Sequence, residues 1–463
     1  MSAGGSNGGF RVWLWSHRYL FGLLLLLALA FRLWIALHFA QDTGDTPGYD
    51  ALAVNLIRHH TYSWDAPPRL RPTDARAPGY PLFLDSVYVV AGLQNHTAVR
   101  IVQALVDTSL LLWLSWLAWE ILPAAALPVL FLTAFEPYTA EYTALILTES
   151  FTIALTAAAF VAMVIGYRRQ SRLAWFFCGI AISAALLCRP DSFLLLASAA
   201  IFCLALLGKS ASLAWKSAFW LLVGLMVLWA PWIVRNAVSL HRFQPLANFY
   251  ASEPDEVPPL GFIRWTRTWI ADDRYLDSVC WRVDGGSLDI NVIPPSAFDN
   301  LAERTHVENL IARYNELGEM IPDLDRQFGQ VADQRIRRHP VRYFLSLPLR
   351  RALVLWFSPH YRVFPLTEEL LPLSNLLDDP AEAIWIDLMF LFKLALVILA
   401  CVGLVLLPNR LISVWAASAI FLRTAAFSWM PNVEYRYVLE VLPLVLVMGV
   451  VGSVLLLERR KRA

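Results

Sequence analysis

Acidic and basic side chains stand where the first long apolar run of this chain gives way to polar sequence. Gln41-Asp42-Thr43-Gly44-Asp45 follows that run, and the polar stretch after it continues through Arg76-Ala77-Pro78-Gly79-Tyr80-Pro81. A carboxylate can take a proton from a hydroxyl, and a guanidinium fork can grip oxyanions through paired, charge-assisted hydrogen bonds. Placed where a membrane helix meets water, the two suit chemistry at a bilayer surface.

More ionisable groups collect at the same rim. The first loop adds Asp50, Arg58, His59, His60, Asp65 and Asp74; the second carries Glu136 and Glu141; Glu434 and Arg436 precede the last apolar run. Charges at a membrane boundary are costly unless they face a polar cavity or each other. Taken singly, each is more simply a solvated loop residue, so the collection is the signal. Glu149 lies inside an apolar run and must be neutral or paired. Arg32, within the first run, is most simply a buried partner for such a carboxylate. Arg189 and Arg235 each stand at the end of a run and suit an interface anchor as well as a site. His59 and His60 are neighbours on an expected helix, where adjacent side chains diverge by about 100°, so they read as interfacial polar residues rather than a metal pair.

The elements that must position these groups follow from composition. Of 463 residues, 58% are hydrophobic and 16% charged, with a mean hydropathy of +0.52. That is the composition of an all-α polytopic membrane protein, not of a soluble domain. The 38 basic and 37 acidic residues nearly cancel to +1, which gives no field for nucleic acid. Four of the five cysteines, Cys178, Cys188, Cys203 and Cys401, lie in apolar runs, and Cys280 stands alone in polar sequence. Neither a disulfide framework nor a thiolate metal site is expected.

A span needs roughly 20 mainly apolar residues. Ten runs qualify, approximately 19–40, 97–119, 121–135, 142–166, 173–188, 192–207, 213–234, 383–407, 411–429 and 437–457. The first is too long for a cleaved signal peptide and reads as an uncleaved anchor. Lys and Arg accumulate in short cytoplasmic loops. Threading the runs accordingly puts 167–172, 209–216, 409–410 and 458–462 in the cytoplasm with both termini, and the acidic rim outside the cytoplasmic membrane. The weaker runs 80–93 and 343–359 carry Asp85 and Arg350-Arg351, and read as interfacial or re-entrant helices. If both crossed, the count would be about twelve.

This organisation divides the chain into an N-terminal transmembrane module, 1–234, with its first outer loop at 41–96; an extracytoplasmic cap segment, 235–345; and an interfacial helix with C-terminal spans, 346–463. In the first loop a short helix is expected over Tyr49–His60, with Asp45 at its N-terminal approach. In the cap segment, Ser296 with Asp299 three residues on predicts the N-cap of a helix over 297–317. A second helix is expected over 323–338, ending before Pro340.

In chain order the motifs are Gly44-Asp45 with Tyr49-Asp50-Ala51-Leu52-Ala53; Arg76-Ala77-Pro78-Gly79-Tyr80-Pro81; Leu147-Thr148-Glu149; Cys188-Arg189-Pro190-Asp191; Pro231-Trp232-Ile233-Val234-Arg235-Asn236; and Glu434-Tyr435-Arg436-Tyr437 before Pro443. This succession resembles the membrane-embedded glycosyltransferases of the GT-C superfamily, especially bacterial relatives of dolichyl-phosphate-mannose protein mannosyltransferase and of lipid A aminoarabinose transferase. The resemblance covers nearly the whole chain and rests on the order of short motifs rather than on any one.

It implies a bundle of about 10–12 transmembrane helices with interfacial helices and a small outer cap. The implied activity moves a sugar, with inversion, from a polyprenyl-phosphate-linked donor to a protein, lipid or glycan acceptor on the extracytoplasmic face. On this resemblance Asp45 takes the place of the catalytic base, and Arg76 and Arg436 those of donor-phosphate ligands. Tyr49, Tyr80, Glu136, Glu141, Glu149, Arg189, Arg235 and Glu434 are possible supporting residues. Some relatives carry a paired Asp-Glu where this chain has Asp45-Thr46, which argues against carrying over a divalent metal.

Two other classes also fit a polytopic chain. An O-antigen ligase or polymerase would use a diphosphate-linked glycan. A transporter or flippase would place charges near the midplane on broken, repeated helices, whereas here they gather at one rim and no repeat is visible.

Overall fold

The computed structural model describes residues 7–247, 258–283, 285–358, 361–364 and 380–461. Among them no strand forms, and the backbone hydrogen bonds are closed almost entirely within helices, the arrangement a lipid environment demands of a chain that does not close into a barrel. Among the described residues eight helices are long and apolar enough to cross a membrane: Arg18–His38, His96–Ile121, Glu149–Arg168, Pro190–Leu207, Ala211–Leu240, Pro380–Leu406, Arg410–Ser428 and Leu442–Arg460. Three shorter apolar helices accompany them: Gly79–Ala91, Pro123–Phe135 and Arg172–Cys188. Each of the ten expected runs is thus helical over most of its length. His96–Ile121 is broken at Ser109, whose hydroxyl turns back to the Val106 carbonyl.

The chain forms two compact units, one of residues 1–254, 359–420 and 439–463 and the other of 255–358 and 421–438. In the first, lipid offers helices no hydrophobic drive to associate, so close backbone packing takes over. A side chain at Gly179 would start 2.0 Å from the Leu221 carbonyl oxygen, and one at Gly224 would start 1.9 Å from that of Phe176. Arg172–Cys188 and Ala211–Leu240 therefore touch backbone to backbone.

The buried glue of this unit is ionic. Arg32 Nε donates to Asp107 Oδ2 at 2.6 Å with both side chains fully buried. Its Nη atoms reach the carbonyls of Ala134 and Thr133, each at 3.1 Å, at the end of the helix Ala126–Phe135. Asp107 is thus the buried carboxylate partner expected of Arg32, and the helix-end carbonyl pair satisfies its remaining donors.

The second unit has its own core, where Phe262 and Trp265 of the helix Leu260–Arg267 pack on Tyr314 of Leu301–Leu317 and Phe328 of Pro322–Arg338. Asp325 caps the first of these helices by accepting from the N–H groups of Gly261 and Phe262, both at 2.9 Å. Arg335 ties the three together through Thr268 at 2.9 Å, Glu303 at 2.6 Å and Asp299 at 3.1 Å. The N-cap expected at Ser296 is corrected here. Residues Pro295–Ala297 form a separate 3-10 turn, and Asn300 caps Leu301–Leu317 by accepting from Glu303 N–H at 2.9 Å. Asp299 is drawn instead to Arg335 and Arg338.

Candidate active site

Helix Thr46–His59 begins at Asp45, with Pro47 in its first turn where the missing N–H costs nothing. Asp45 occupies the N-cap position, yet its side chain makes no capping bond. It accepts from Arg76 Nη2 at 2.6 Å instead, with Asp45 32% and Arg76 23% exposed. The pair joins two loop segments that the sequence separates by 31 positions.

Arg76 is held in place by its surroundings. Its guanidinium lies over the rings of Tyr49 and Trp64, at 5.6 and 5.4 Å. Trp64 can come this close because Gly48 has no side chain: a Cβ there would meet the indole at 2.7 Å. The backbone of Arg76 is fixed as well, since the Tyr62 hydroxyl donates to the carbonyls of Arg76 and Ala77 at 3.0 and 3.2 Å. Arg235 in turn donates to the Tyr62 and Thr73 carbonyls at 3.2 and 2.8 Å and lies over the Tyr62 ring. Arg76 Nε is buried and has no hydrogen-bond partner among the described residues. A buried N–H left unmet in this way costs free energy until a partner accepts from it.

Tyr49 stacks edge-on against Tyr80 at 5.0 Å, and the Tyr80 hydroxyl donates to Gln103 Oε1 at 2.6 Å. The Tyr49 hydroxyl makes no hydrogen bond among the described residues. Burial, then the Asp45 carboxylate, push its pKa up against the opposing pull of Arg76, so it stays a protonated donor at neutral pH. Gln103 extends the support by donating to the Leu145 carbonyl at 2.7 Å.

The other expected residues divide. Glu149 pairs with Arg189 Nη1 at 2.7 Å; Arg189 also meets Asp191 at 3.1 Å and Glu440 at 3.3 Å. This network couples electrostatically to Tyr49 and is the buried partner that the position of Glu149 requires. Glu136 is an N-cap: it accepts from Tyr138 N–H at 2.5 Å and Thr139 N–H at 3.2 Å. Glu141 is fully buried and accepts from the N–H groups of Arg362 and Val363 at 2.8 and 3.3 Å. Both are tied to backbone donors. Glu434 and Arg436 belong to the second unit, where Glu434 accepts from Arg436 at 2.8 Å and from the Tyr437 hydroxyl at 2.9 Å.

Sequence reasoning missed a second polar cluster, which meets the same helix at Asp50. His96 meets Asp50 Oδ2 at 2.9 Å and Asp42 Oδ2 at 3.2 Å; Asp50 also accepts from the Tyr88 hydroxyl, and Asp42 from Arg100 at 2.5 Å. Asp42, Asp50 and His96 line a cavity of about 390 Å³. The partners lie 38 to 58 positions apart, so no local spacing could have announced them.

No family model and no curated protein matches this sequence. Among solved structures, the chain is similar to the Archaeoglobus fulgidus oligosaccharyltransferase tethered with an acceptor peptide: 13% identity, 96% of this chain, 50% of that one, TM-score 0.52. A weaker likeness is to ArnT from Cupriavidus metallidurans bound to undecaprenyl phosphate: 14% identity, 97% and 78% coverage, TM-score 0.42. The first likeness shows the fold alone, an all-α bundle with apolar helices long enough to cross a membrane. The chain spans about half the length of that oligosaccharyltransferase.

Proposed function

We propose that this chain is a membrane glycosyltransferase that moves a sugar from a polyprenyl-phosphate donor to an acceptor hydroxyl on the extracytoplasmic side. The observation that carries this reading is the pairing of Asp45 with a stacked Arg76 that keeps an unmet N–H. Arg76 takes the donor phosphate through its remaining donors, while Nη2 keeps the Asp45 carboxylate aimed. The acceptor oxygen attacks the anomeric carbon, its proton passes to Asp45, and the breaking C–O bond leaves its electron pair on the phosphate. One base and one displacement give inversion. Glu149 and Arg189 act on Tyr49 electrostatically, and Arg235 holds Arg76 through Tyr62. The role that the resemblance gives Arg436, contact with donor phosphate, is proposed on that resemblance alone.

The fold supports this reading. The testing experiment is mass spectrometry of envelope glycans, lipids and glycoproteins with the gene intact, deleted, and restored as Asp45→Asn. A sugar missing from one acceptor class in both the deletion and the restored variant supports the proposal. An unchanged glycan profile, or full restoration by Asp45→Asn, contradicts it.

A further inference from the structure

At the end of the bundle that carries the basic loops, two helices begin side by side. Arg172–Cys188 starts at Ser171, whose hydroxyl accepts from Ala174 N–H at 3.2 Å. Ala211–Leu240 starts at Ser210, whose hydroxyl accepts from Leu213 N–H at 3.3 Å. Between them lies a cleft of about 270 Å³ lined by Arg172, Lys216, Ser210, Ser212, Ser217 and Trp175. Among the described residues no carboxylate lines it. Neither Arg172 nor Lys216 has an ion-pair partner among the described residues, whereas the nearby Arg169 is engaged by Glu120.

A second observation comes from the buried wall of this cleft. The Ser217 hydroxyl and the Trp175 indole N–H belong to side chains 1% and 2% exposed, and neither has a hydrogen-bond partner among the described residues. A buried polar group left unmatched costs free energy comparable to a lost hydrogen bond, and in native structures it commonly signals a missing partner. The groups surrounding this one are donors or can donate: an indole N–H, hydroxyls, a guanidinium, an ammonium, and the first N–H groups of two helices, whose dipoles add positive potential.

We propose that this cleft is a binding site for a phosphate-bearing anion, either an anionic phospholipid headgroup or free phosphate. It lies apart from Asp45 and Arg76 in sequence and in the elements that build it, and it stands whether or not the glycosyl-transfer reading does. Arg172 and Lys216 supply charge at the mouth, the helix starts supply backbone donors, and Ser217 with Trp175 receive the buried oxygen.

The test uses the full chain, delipidated in detergent. Native mass spectrometry with added phosphatidylglycerol is compared with thermal unfolding in inorganic phosphate against chloride at equal ionic strength. Each is run on the wild type, on Arg172→Gln/Lys216→Gln at exposed positions, and on Ser217→Ala. Losing charge-assisted bonds weakens binding at least about tenfold in the double variant. Phosphatidylglycerol adducts that fall in both variants support a headgroup site. Stabilisation by phosphate in the wild type that is lost in the double variant supports a free-anion site. Equal binding by wild type and double variant in both arms, or no binding in either, overturns the proposal.

Discussion

The Asp45 carboxylate accepts from the Arg76 guanidinium at 2.6 Å, so the two ends of the first loop's polar stretch meet at one point. Tyr62 and Arg235 hold that point from behind, through the Arg76 backbone rather than its side chain. The guanidinium is thereby placed twice, once by its carbonyl and once by the rings of Tyr49 and Trp64.

Because stacking and the planar fork both matter, Arg76→Lys keeps the charge but not the geometry. Steady-state kinetics with a purified polyprenyl-phosphate sugar are expected to show a donor KM raised by about tenfold or more, the scale of one lost charge-assisted bond. An unchanged donor KM would remove Arg76 from the phosphate.

Tyr62→Phe deletes one hydroxyl that serves two carbonyls. The expected loss is roughly 0.5–1.5 kcal/mol of positioning, or about two- to twelvefold in turnover. Donor affinity in Arg76→Lys is compared with that in the Tyr62→Phe/Arg76→Lys double variant. If Tyr62 acts only through Arg76, the second substitution adds little to the first.

Asp107→Leu strands the buried Arg32 guanidinium and is expected to cost about 3–5 kcal/mol of stability. Arg32→Met/Asp107→Leu, which removes both charges, should recover most of it. Thermal unfolding in detergent reads both; equal melting of the single variant and the wild type would show that the pair contributes nothing.

How much of this was legible in the sequence follows from what each feature depends on. The spans were legible because lipid selects long apolar runs, and the helix Thr46–His59 because its apolar residues recur at helical spacing. Asp45 and Arg76 were legible as candidates from motif order, but their contact was not, since it arises from a fold back over 31 positions. Asp107 went unnoticed as a single carboxylate within a span, and its match with Arg32 depends on packing between helices. The roles of Glu136 and Glu141 turned on backbone donors, which no side-chain pattern advertises. At Ser296 the local capping signal lost to Asn300, because Asp299 found stronger partners in Arg335 and Arg338.

The most direct measurement is sugar transfer by purified wild type and Asp45→Asn, with the anomeric configuration of the product read by NMR. The Asp45–Arg76 pair is part exposed and worth no more than about 1 kcal/mol, so the variant should fold and insert normally. Turnover is expected to fall by at least about 10²-fold, as for loss of a general base, and the wild-type product should show inversion. Wild-type turnover in Asp45→Asn, or a product that retains the donor configuration, would contradict the account.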